Sequence, residues 1–178
     1  MDARWPEVRW VMRHAGVDAA TAAARLALQD RVPEVSAVVT AQLGEEFAGI
    51  WWDISTGTIT IATTGRPVDF GQFDKDAQLA GHLTQVTVRH SLVELKALSA
   101  KLGALAEHVE GVVVAGVSLH ANSVLVRLQP DTAPATLPAD LASAITSAGD
   151  GVSIETLSSP ATVHARRGGQ ASSGDRQV

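Results

Sequence analysis

The chain has 178 residues, no cysteine and a net charge of −5, with hydrophobic residues at 46% and aromatics at only 4%. That length holds one ordinary domain or two small lobes, and the apolar fraction excludes disorder over most of it. Scattered Lys and Arg argue against a nucleic-acid surface, no apolar run approaches the roughly 20 residues of a membrane span, and the lack of Cys removes disulfides and zinc–thiolate sites.

The first residues, MDARWPEVRW, are charged and have no apolar leader core. Residues 1–16 are expected to form a short helix with Trp5, Val8 or Arg9, and Met12 on one face, ending near Gly16. Asp18 caps an Ala-rich helical run, AATAAARLALQDRV. Pro33 suits the first turn of the next helix, where Val35, Val38, Val39 and Leu43 make one apolar stripe before Gly44.

The stretch FAGIWWDISTGTITIAT, Phe47 to Thr63, reads as a β-hairpin, because two β-branched and aromatic runs flank a Gly-bearing turn. Gly49, Trp51 and Asp53 share one face of the first strand, and Ile50, Trp52 and Ile54 the other. On the return strand Ile59 and Ile61 lie opposite Thr58, Thr60 and Ala62. Consecutive tryptophans must bury one ring on each face or leave one for a partner.

After Thr63 a loop runs to Lys75, followed by an expected short helix from Asp76 to Leu83. Gln85 to Arg89 alternates like a strand with Val86 and Val88 inward. Ser91 and Glu94 then form a capping box. The helix it opens carries Leu92, Leu95, Leu98, Leu102, Leu105 and Val109 as an amphipathic stripe. Beyond Gly111, VVVAGVSLH reads as a strand buried on both faces. Ala121 and Asn122 turn it back into Ser123–Gln129, with Val124, Val126 and Leu128 on one side. A Pro-containing loop leads to a helix over Ala139–Ala148 and an edge strand over Gly151–Leu157. From Ser158 no period remains, and the segment reads as a tail.

The order predicts an α+β fold with three parts. A helical N-terminal segment spans 1–46, antiparallel hairpins pack with a long amphipathic helix over 47–157, and a flexible junction covers 158–178.

No motif makes a convincing active site. Adjacency of His90 and Ser91 is not a triad, which needs geometry and a third orienting group, and Ser91 is explained as a helix cap. Asp69, Asp74 and Asp76 lack the Gly and distal Glu of a calcium loop. No H-x-x-x-H pairing occurs, and Gly168-Gly169 neither follows a strand nor opens a helix. The expectation is no catalytic residue, no metal ligand and no cofactor.

Four phrases carry a family resemblance: FAGIWWD, TITIATT, VTVRHSLVELKAL and GVSLHANSVLVRL, in that order from Phe47 to Leu128. Together the chain resembles the N-terminal pro-regions of secreted bacterial chymotrypsin-like serine proteases, the α-lytic protease and streptogrisin group. The tail ARRGGQASSGDRQV is similar to the start of a mature protease of that group. The resemblance implies a non-enzymatic chaperone and inhibitor of a cognate serine protease domain in the same polypeptide. It also implies a secreted or cell-envelope location; the scattered charges and the absence of a long apolar run are what argue against a nucleic-acid or membrane partner.

The family template binds the folding transition state and then holds the product, which is differential binding. The resemblance implies docking by β-augmentation through the second hairpin, with Val117, Leu119, Asn122, Val124 and Val126, or through the edge at Gly151–Leu157. Thr162, Val163, His164 and Ala165 would lie in the protease cleft, with the scissile bond near Ala165–Arg166. The Arg166-Arg167 pair stands where small or aliphatic residues are expected. Two other readings compete. One is a permanently attached regulatory or interaction domain; the other is a small hydrolase using His90 or His120 with a convergent carboxylate.

Overall fold

A computed structural model describes residues 5–158. In chain order these hold α1 (Pro6–Ala15), α2 (Ala19–Gln29), α3 (Val32–Leu43), β1 (Phe47–Asp53), β2 (Thr58–Thr63) and β3 (Leu83–Thr87). There follow α4 (Leu92–Ala106), β4 (Val112–Ser118), β5 (Ser123–Leu128), α5 (Ala139–Ala148) and β6 (Val152–Thr156). The α+β architecture is as the sequence predicts, with two three-stranded sheets ordered β1-β2-β3 and β4-β5-β6.

Local chemistry sets most of the helix ends. The Asp18 carboxylate accepts the Thr21 N–H at 2.7 Å and starts α2. Pro33 sits in the first turn of α3, where its missing N–H leaves no bond unmade. Ser91 accepts the Glu94 N–H at 3.3 Å while Glu94 accepts the Ser91 N–H at 2.8 Å, so the capping box is complete. The face of α1 differs from expectation: Val8 and Val11 are buried, while Trp5 precedes the helix and is exposed. Val8 and Val11 are three apart, the spacing that meets a neighbouring helix.

The first hairpin pairs Ile50 with Ile61 and Trp52 with Ile59. The two indoles part as the pleat requires. Trp52 packs on the core that Leu28, Val35, Val39 and Leu43 build with Ile59 and Ile61. Trp51 turns the other way and meets the His120 ring, 4.7 Å between centroids. Helices α2 and α3 thus share one core with the hairpin, while Val8 and Val11 of α1 form a small separate cluster with Ala22.

Three elements depart from the sequence reading. Residues 77–82 are successive turns instead of a helix, anchored where Arg31 Nη2 meets Asp76 at 2.7 Å. Strand β3 is Leu83–Thr87, earlier than Gln85–Arg89, because the residues that join the sheet are those that pair with Ile59 to Thr63. Strand β4 is not buried on both faces: Val112 is buried, but Val113 is 43% exposed. It lies at an edge, and the buried leucines of α4 pack on one face of its sheet. The third strand of each sheet runs parallel to its neighbour, β3 to β2 and β6 to β5, so each sheet is mixed.

One construction appears twice. A helix (α3, then α4) leads into an antiparallel hairpin, and the chain returns to add a parallel strand beside the second hairpin strand. Both first strands carry a bulge at a glycine, between Phe47 and Gly49 and between Val114 and Gly116. These glycines have φ 142° and 106°, a region that disfavours side chains. The second half has its own core of Leu95, Leu102, Val124, Val126, Leu128 and Leu141.

Candidate docking surface

Alternation along β5 decides what the second sheet offers. Val124, Val126 and Leu128 are fully buried against Leu95, Leu102 and Leu141 of α4 and α5. Leu125 and Arg127 take the opposite face, where Arg127 Nε donates to Glu155 at 3.0 Å. Because β5 is paired on both sides, Val124 and Val126 are interior and form no docking edge, contrary to the expectation from resemblance. Val117 pairs with Val124 on β4 and is half-buried.

Leu119 and Asn122, also expected to meet a protease, are engaged inside the molecule. A methyl group in place of the Gly49 hydrogen would meet Leu119 Cδ2 at 2.8 Å, so the hairpin tip lies against the bulge of β1. Asn122, at φ 48°, donates from Nδ2 to the His90 carbonyl at 2.7 Å and accepts the His90 N–H at 2.8 Å. The second hairpin therefore locks the two sheets together, with the Trp51–His120 pair beside it. Both indoles of the Trp51-Trp52 pair thus have partners within the chain.

The free edges of the second sheet are β4 and β6. Val113 on β4 and Ile154 on β6 are both exposed. Along β4 a shallow groove of about 270 Å³ runs beside the end of α4, lined by Gly103, Ala106, Glu107 and Val112 to Val114. Nothing lies within 4 Å of where a Gly116 side chain would begin, whereas its counterpart Gly49 is covered by Leu119. A glycine inside a strand pattern is the sequence signal for this bulge. Val113 was hidden by the reading of β4 as buried.

Charged groups gather where the halves join. Asp150 accepts from His90 Nε2 at 3.1 Å and pairs with the Arg89 guanidinium. The His90 contact first, and the Arg89 charge after it, hold the Asp150 carboxyl below its ordinary range. His90 thus meets a carboxylate, but the Ser91 hydroxyl is committed to its cap and the cavity beside it is lined by Arg89, Ser91 and Glu94 without His90. Asp76 is likewise held low by the Arg31 guanidinium. Among the described residues no cluster of three or more His, Asp or Glu suits a metal ion. No helix there is long and apolar enough to cross a membrane. Residues Thr162, Val163, His164, Ala165 and Arg166 lie outside the described residues.

Residues 20–66 match the family model described as alpha-lytic protease pro N-terminal. The match supports an N-terminal pro-region segment of the alpha-lytic protease type. The match runs through α2, α3, the first hairpin and Arg66, so it takes in FAGIWWD and TITIATT and extends further towards the N-terminus than those phrases. A search of curated proteins found no match. A pro-region is not itself catalytic, and the association its family implies is with a protease domain.

Proposed function

We propose that the chain acts as an intramolecular chaperone and inhibitor of a chymotrypsin-like serine protease domain of the same polypeptide, docking through β4. The observation that carries the reading, given the pro-region match, is the unequal treatment of two equivalent bulges. In the first half the edge strand β1 receives a hairpin tip, Leu119 against Gly49. In the second half the matching edge, β4 with Gly116 and exposed Val113, is open. A β-hairpin of the protease that adds beside β4 would place an apolar residue on that bulge and bury Val113. Main-chain bonds supply affinity and the groove beside α4 supplies selectivity. The tail from Ser158 then enters the protease cleft, with Thr162 to Ala165 in it and the junction near Ala165–Arg166. Families of this kind act on secreted proteases, and a secreted or cell-envelope setting follows for this one.

The test is titration of the purified chain into a streptogrisin-like protease, or the protease encoded downstream, following peptide hydrolysis. Val113→Asp, a charge on an exposed edge, should weaken inhibition by about tenfold or more. Thr156→Pro on β6 should leave it unchanged, and deletion of 158–178 should weaken it. Loss with Thr156→Pro alone would move the docking edge to β6. Absence of both inhibition and faster refolding of the denatured protease would remove the reading.

A further inference from the structure

Away from the second sheet, α1, α2 and the end of β1 enclose an open groove of about 540 Å³. That volume lies in the range of small-ligand sites. Its walls are Trp10, Val11, Leu26, Trp52 and Ile54. Trp10 is 49% exposed, and its ring stacks on His14 one turn along α1, 4.6 Å between centroids and 10° from parallel. An adjoining cavity of about 500 Å³ shares Pro6 and Arg13 with the groove and adds Arg9 and Met12. The joined surface therefore runs from an aromatic wall to two guanidiniums. Among the described residues Glu7 is the one carboxylate on it, and with Arg9 and Arg13 the described charged groups sum to a net positive.

The apolar wall calls for a hydrocarbon body and the guanidiniums for a negative charge. A carboxylate on an apolar chain or ring supplies both.

We infer that this groove binds an amphipathic monocarboxylate, its apolar body on Trp10 and Trp52 and its acid group at the Arg9–Arg13 end. The site lies on the first half of the chain and does not depend on the protease reading.

The experiment is a titration of the full chain with decanoate below its micelle concentration, followed by tryptophan fluorescence, beside decanol and decyltrimethylammonium. Decanoate is expected to bind saturably and about tenfold tighter than the cation of equal chain length. Arg13→Gln should cost decanoate about tenfold, Glu7→Gln should tighten it, and Arg127→Gln on the second sheet should change nothing. Arg13 and Glu7 are exposed, so these two variants are expected to melt like the parent. Equal binding of all three head groups, absence of saturation, or full affinity in Arg13→Gln would overturn the assignment. Binding of decanoate no tighter than that of a decapeptide ending in an amide would overturn it too.

Discussion

Asn122 grips the backbone of His90 from both sides, accepting its N–H at 2.8 Å and donating to its carbonyl at 2.7 Å. A side-chain amide thereby takes the place of a strand neighbour where the chain passes from one sheet to the next. Asn122→Gly keeps the φ of 48° open and deletes both bonds. It should lower stability by about 1–3 kcal/mol, read as a fall in the urea midpoint. Asn122→Ala should lose about 1–2 kcal/mol more, since the left-handed conformation disfavours a Cβ. Equal midpoints for the parent and both variants would show that the grip contributes nothing.

The close approach of Leu119 to Gly49 makes a sharper case. Gly49→Ala adds a Cβ 2.8 Å from Leu119 Cδ2 at φ 142°. Both the clash and the backbone strain are destabilising. The variant should unfold at a lower temperature and show a changed Trp51 emission, because the Trp51–His120 pair sits beside the contact. Adding Leu119→Ala should restore part of the loss, since it removes the clash and leaves the strain. Full restoration would mean the strain is negligible.

Stability should fall on the acid side through Asp150. Its carboxyl is held below the ordinary value of 3.8 by His90 first and Arg89 after it. A carboxyl with a lowered folded-state pKa binds its proton less readily when folded, so its contribution is full above the unfolded value and is lost as pH falls through the folded one. Asp150→Asn should therefore lower the urea midpoint at pH 6 and flatten its fall between pH 5 and 2. An unchanged slope in that window would assign the acid limb to other carboxylates, with Asp76 beside Arg31 the next to replace.

Ser91→Ala removes one half of the capping box and should destabilise by about 1 kcal/mol. Ser91→Asp, which also caps, should recover most of it. Circular dichroism melts of the three proteins decide the matter, and recovery by Asp separates capping from any chemical role of the hydroxyl.

What was legible in the sequence was local. The Ser91–Glu94 box, the leucine stripe of α4 and the Ser55–Gly57 turn each lie within a few residues of their cause. So did the inward set Val124, Val126 and Leu128. The parallel placement of β3 and β6 was not legible, because it depends on partners about 24 to 28 residues away, such as Ile59 for Leu83 and Val124 for Val152. That pairing is also what turned β5 from an edge into the middle strand, and so moved the candidate surface from Val124 and Val126 to Val113 and Gly116. The roles of Leu119 and Asn122 were missed for the same reason: a hairpin tip looks free until the other sheet is beside it.

The chain passes between its two halves once, at residues 88–91, and the buried members of each core come from one side of that passage. During synthesis the residues of the first core have all emerged before α4 begins. Each half then closes loops only within itself, which keeps the entropy of closure low. The halves meet afterwards as preformed surfaces, so a change that only loosens the Leu119 or Asn122 side-chain contacts should act on how fast they part and hardly at all on how fast each collapses.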